Sequence, residues 1–126
     1  MSKKVINVSS GFDLPFSAAI KAGDYIFVSG QIGHIDDKGN KIEGIEAQTK
    51  QCLEKTKKIL EQAGSSLNDV VKVTIFLRDI NDYGKMNETY KKYFPKDAPA
   101  RSTVVAALVM PEMLVEIDCI AYYPGK

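Results

Sequence analysis

The chain has 126 residues, 44% hydrophobic and 26% charged, with 17 Lys and Arg against 16 Asp and Glu for a net charge of +1. That length suits one domain with a real core, residues 1–126, and the balanced charge sets up no global field towards nucleic acid or an anionic membrane. No apolar run reaches the length of a membrane span and "MSKKVINVSS" has no apolar signal core, so a cytoplasmic protein with no membrane partner is expected.

"KKVINV" is the first expected strand. In "FSAAIKAGDYIFVSGQI", Gly23-Asp24 is a turn signal between two short strands, which predicts a β-hairpin. "DDKGNK", residues 36–41, is a polar loop with Gly39 at its tip. The period then changes. Ile45, Cys52, Leu53, Thr56, Ile59, Leu60 and Ala63 fall on one face of a helix, and Lys50, Glu54, Lys57, Lys58 and Glu61 form its solvated face. Gly64 is a natural stop.

"VVKVTIFLRD" alternates. Val71, Val73, Ile75 and Leu77 point one way, and Lys72, Thr74 and Phe76 the other. A second helix runs through "DYGKMNETYKKYF", with Tyr83, Met86, Tyr90 and Phe94 on its apolar side, and Pro95 ends it. Two strands follow, "RSTVVAAL" and "MLVEIDCIAYY". The two cysteines, Cys52 and Cys119, lie on apolar faces and read as buried free thiols. His34 is the one histidine, a loop side chain without the cluster a metal site requires.

This order predicts an α+β two-layer sandwich, two helices on one face of a mostly antiparallel sheet. In the last strand Val115, Ile117, Cys119 and Ala121 form a wholly apolar row that suits the helix-covered face. The other row is Leu114, Glu116, Asp118, Ile120 and Tyr122. That second face, with Phe76 and Val105, is half apolar where a water-facing sheet should be mostly polar, so a second subunit is expected to cover it.

Arg101 and Thr103 share one side of their strand, and Glu116 lies on the mixed row of the last. If those strands are neighbours, both charges face one crevice at a subunit interface. A guanidinium fixes a small carboxylate bidentately, and a nearby carboxylate can orient or deprotonate a water. Together they suit hydrolysis of a small acid with an electrophilic carbon. The same pattern equally describes an intramolecular Arg–Glu ion pair that ties two strands together.

"PARSTVVAALVMPEMLVEID" resembles the signature of the RidA family, also called YjgF or reactive intermediate deaminase. "AGDYIFVSGQIG" is similar to its Ser-Gly-Gln-Ile strand, and the likeness runs on through both helices to Asn87 in "MNETY". The resemblance implies a chorismate-mutase-like fold and a homotrimer with three inter-subunit clefts. It implies hydrolysis of 2-imino and enamine acids, such as 2-iminobutanoate and 2-iminopropanoate, to 2-keto acids and ammonia, with no metal or organic cofactor. By the same resemblance Arg101 binds the substrate carboxylate and Glu116 positions the water. Thr103, Ser29 and Gly30 line the cleft, with Asn87 nearby. Phe16, in "LPFS", stands where relatives usually have tyrosine. The ring can still wall a pocket, but the lost hydroxyl is expected to lower activity or shift preference towards apolar side chains. On structural grounds alone, Ser29 would satisfy a strand end, Asn87 would sit on a helix surface, and Phe16 and Tyr122 would pack.

Two other functions compete. Cleavage of single-stranded RNA, an activity reported for some members of the family, has one histidine and no basic stripe to work with. A non-catalytic trimer that binds a metabolite, regulates or acts as a chaperone would explain Arg101 but not a second negative charge beside the ligand.

Overall fold

The structure is a computed structural model that describes residues 2–8 and 14–124. Six strands, β1 (Lys3–Ile6), β2 (Ala19–Ala22), β3 (Tyr25–Ile32), β4 (Val70–Leu77), β5 (Ala100–Val105) and β6 (Val115–Tyr122), form one sheet in the order β1-β2-β3-β6-β4-β5. Two helices, α1 (Ile45–Gln62) and α2 (Tyr83–Tyr93), connect β3 to β4 and β4 to β5. Every strand pairing is antiparallel except β4 with β5. That exception follows from α2, because a helical crossover brings the chain back in the same direction. β3 and β4 both run antiparallel to β6, which enters last and separates them.

The core lies between the helices and one face of the sheet. Ile26 and Val28 of β3, Val73, Ile75 and Leu77 of β4, and Val115, Ile117, Cys119 and Ala121 of β6 are buried there. Ile45, Cys52, Leu53, Thr56, Ile59 and Leu60 of α1 meet them, with Met86 and Tyr90 of α2. The two-layer α+β sandwich, with both helices on one face of a mostly antiparallel sheet, is the predicted one. Gly64, at φ 89°, follows the last turn of α1 in the conformation a glycine adopts freely.

Two details depart from the sequence reading. Val71 does not join the buried row. A register shift between Val70 and Lys72 against β6 inserts an extra residue, so Val70 is buried and Val71 is 44% exposed. Val105 pairs with Leu77, which places it on the helix side, and Val104 takes its place on the open face. That face does carry exposed apolar groups, Val5, Phe27, Tyr25, Tyr122 and Val104 among them.

Buried polar groups fix the connections. Gln48, on the inner side of α1, donates through Nε2 to the carbonyls of Ile42 (3.0 Å) and Glu112 (2.9 Å) and accepts from the Leu114 amide (2.9 Å). Arg78 donates to the carbonyls of Met113, Met110 and Leu108 and so shapes the loop between β5 and β6. Unmade bonds to buried backbone groups cost their full desolvation. Gln48→Leu should therefore lower stability by about 2–4 kcal/mol, read from urea unfolding midpoints. A change within about 0.5 kcal/mol would mean that water replaces the side chain at no cost.

Candidate functional site

The topology separates the two charges that the sequence reading placed together. Arg101 pairs with Val73 and Glu116 with Phe76, and β4 lies between their strands. Two strand spacings and three residues put their Cα atoms roughly 14 Å apart. The faces differ as well. Val73 is buried under the helices, so Arg101 and Thr103 point to the helix side, whereas Phe76 and Glu116 lie on the open side. The intramolecular Arg–Glu ion pair is thus excluded. Among the described residues no carboxylate lies within ion-pair distance of Arg101, and the one salt bridge joins Lys58 and Asp37 at the surface.

What surrounds Arg101 instead is aromatic and neutral. Its guanidinium carbon lies 4.8 Å from the ring centroid of Tyr90 and 5.8 Å from that of Tyr83. Its Nη2 donates to the Tyr83 hydroxyl at 3.2 Å. Both tyrosines project from α2 over the edge strand β5. Burial pushes the Tyr90 phenol up to about 12 despite the Arg101 charge. Tyr83 moves the other way, because the Asn87 side chain hydrogen-bonds the phenol and Arg101 adds its charge. Asn87 Oδ1, Thr103 Oγ1 and the Tyr90 hydroxyl are buried without a hydrogen-bond partner among the described residues. Unpaired buried polar atoms are costly, and three beside a cation without a counter-ion mark a place where a ligand would find partners.

The open side holds the second group. β3 bulges between Val28 and Gln31, leaving Ser29 and Gly30 without partners in β6. Bulges re-aim side chains. Here the Ser29 hydroxyl donates to the Ser17 carbonyl at 2.6 Å and its amide to Ala18 at 2.9 Å, which ties down the segment that carries Phe16. The Phe16 ring is 60% exposed. A methyl group at Gly30 would collide with the Glu116 carboxylate, so glycine is what lets that carboxylate lie on the bulge. Burial and then the neighbouring Asp118 charge raise the Glu116 pKa. Asp118 is itself raised by burial, against the opposing pull of Lys72 and a hydrogen bond with Thr74.

The seven residues singled out in the sequence therefore form two groups. Phe16, Ser29, Gly30 and Glu116 gather about the β3 bulge, and Asn87, Arg101 and Thr103 lie under the α2 edge. Ser29 serves backbone, as its structural reading had it. Tyr83 and Tyr90 were read as helix packing alone. Their hydroxyls gave no signal in the periodicity, although Tyr83 stands one turn before Asn87 and Tyr90 three residues after it. The arrangement offers two half-sites, a guanidinium fork free for an anion and a carboxylate with a raised proton affinity.

Comparison with known proteins agrees with the fold and the motif. The family model described as Endoribonuclease L-PSP matches residues 12–123. A RutC family protein of Pyrococcus abyssi is 50% identical over 109 residues, 86% of each chain. The chloroplastic Reactive Intermediate Deaminase A of Arabidopsis thaliana is 44% identical over 108 residues, which are 85% of this chain and 58% of that protein. The crystal structure of RidA from the Antarctic bacterium Psychrobacter sp. superposes with a TM-score of 0.86 at 35% identity, covering 94% of this chain and 98% of that one. A chloroplast protein among these relatives shows that the family is not confined to the cytosol, and no described helix is long and apolar enough to cross a membrane. With its motif, its sheet order and these relatives in agreement, the chain belongs to the RidA/YjgF family.

Proposed function

We propose that this protein hydrolyses reactive 2-imino and enamine acids, 2-iminobutanoate and 2-iminopropanoate among them, to 2-keto acids and ammonia. The observation that carries this reading is the Arg101 guanidinium, which lies under α2 beside neutral polar atoms that, among the described residues, have no partner, and with no carboxylate of those residues in reach. A cation so placed suits an incoming carboxylate, bound bidentately. The deaminase name of the Arabidopsis relative supports the same chemistry.

The reaction also needs a water activated beside C2. Glu116 takes that role. The water adds to the C=N carbon as Glu116 accepts its proton. The carboxylic acid so formed returns the proton to nitrogen, and the carbinolamine collapses to the keto acid with loss of ammonia. A raised pKa suits both half-steps, since a base that binds its proton more tightly is also a competent acid nearer neutral pH.

Arg101 and Glu116 lie on opposite faces of one sheet, so one chain cannot bring both to one small substrate. In this reading the site is completed by two copies. The β5 edge of one, with Arg101, meets the open face of the next, with Glu116, and three such contacts close a ring. The exposed apolar groups of that face are what the neighbour would cover. The family description also names RNA cleavage, for which a net charge of +1 and a single histidine give little support.

The direct test generates the imines from threonine and serine with an amino-acid dehydratase and traps them with semicarbazide. Wild type should suppress the trapped product, and Arg101→Ala and Glu116→Gln should each lose about a hundredfold or more in kcat/KM. Full activity in both variants would remove the assignment. Glu116 should also show a cost of function. Its folded-state pKa is raised, so its contribution to stability is present while it is protonated and is lost as pH rises through that raised value. Glu116→Gln should then be at least as stable as wild type at neutral pH, with the difference in melting temperature shrinking as pH falls through the carboxylate range. Finally, Asp118→Asn should lower the Glu116 pKa, followed by carboxyl NMR, because it removes the like charge beside it.

A further inference from the structure

Tyr83 sits where its hydroxyl has one hydrogen-bonding capacity left. The phenol oxygen accepts from Arg101 Nη2 at 3.2 Å. That bond uses the phenol oxygen as an acceptor and leaves the O–H free to donate. Among the described residues no acceptor takes that proton in the hydrogen bonds of the site. Tyr83 is 41% exposed, and its hydroxyl lies beside the guanidinium. A hydroxyl that accepts from a cation is polarised, so its remaining proton is a stronger donor.

We propose that Tyr83 is a substrate-binding residue whose hydroxyl donates its proton to the carboxylate that Arg101 holds, so that the acid is gripped by a guanidinium fork and a phenol together. The proposal rests on the reading of Arg101 as the carboxylate-binding residue. It places a hydroxyl in the site on the Arg101 side, supplied by α2, while Phe16 contributes a ring without one on the Glu116 side.

The pH dependence follows from the same geometry. A phenolate cannot donate and repels a carboxylate, so binding should weaken as Tyr83 ionises. Arg101 on β5 is the charged group facing the phenol, and with Asn87 it draws that ionisation below the ordinary phenol range. Tyr90, on the same helix, and Cys119 of β6 are both pushed up to about 12 by burial and stay neutral through the same window.

The probe is 2-oxobutanoate, a stable keto acid, titrated calorimetrically into wild type, Tyr83→Phe and Arg101→Ala from neutral pH up to the ordinary phenol range. Phenylalanine keeps the ring over the guanidinium and removes only the hydroxyl. Tyr83→Phe should bind about tenfold more weakly at neutral pH, as loss of a hydrogen bond to a charged group predicts. It should also lack the alkaline decline seen in wild type. A Tyr83→Phe protein that binds like wild type, or that keeps the alkaline decline, overturns the proposal while leaving Arg101 in place. If Arg101→Ala binds as tightly as wild type, the carboxylate reading itself fails and Tyr83 loses its role with it.

Discussion

The parallel pairing of β5 on β4 is the constraint on which the rest of the structure depends. It is the one parallel contact in the sheet, imposed by the α2 crossover, and it sets Arg101 opposite Val73. Val73 faces the core, so the guanidinium must lie under the edge of α2, where two tyrosine faces meet it at 4.8 and 5.8 Å. Had β5 paired one residue out of register, with Ser102 opposite Val73, Arg101 would fall opposite Lys72 on the open face. The cation would then lose its contacts with both aromatic rings.

A second consequence is that the two groups of candidate residues stand on opposite faces of one copy. Among the described residues, the guanidinium has donors without a carboxylate, and three polar atoms near it have no partner. The open face holds the reverse, two carboxyls with raised proton affinity on a surface rich in exposed apolar groups. Each group carries an energetic cost that a neighbour of complementary character would relieve. The bulge at Ser29 and Gly30 belongs to the same design, since it lets the Glu116 carboxylate lie against backbone and fixes Phe16 through Ser17.

Much of this was legible in the sequence. The hydrophobic period, with the Gly23-Asp24 turn signal for the first hairpin, marked the six described strands and both helices, and the gap between Arg101 and Thr103 placed them on one side of their strand. The "PARS" signature led to the family. Strand neighbours were not legible, because β6 inserts between β3 and β4 through pairings that no local period encodes. The face of Arg101 was lost for that reason. The extra residue near Val71 was invisible too, since Val70 and Val71 are equally apolar and only the register against β6 chooses between them. Gln48 was passed over as polar, although its amide is what joins two loops to α1. Tyr83 and Tyr90 were counted for their rings, and their hydroxyls leave no mark on an apolar pattern.

The central claim is that Arg101 of one copy works with Glu116 of another. Co-refolding Arg101→Ala with Glu116→Gln in equal amounts tests it most directly. Each variant alone is inactive on this account, but in mixed rings about a quarter of the contacts join an intact Arg101 to an intact Glu116. Imine hydrolysis should therefore return to about a quarter of the wild-type level, with ring size unchanged. A mixture that exchanges subunits yet stays as inactive as its components would contradict the shared site and require both residues to act from one chain.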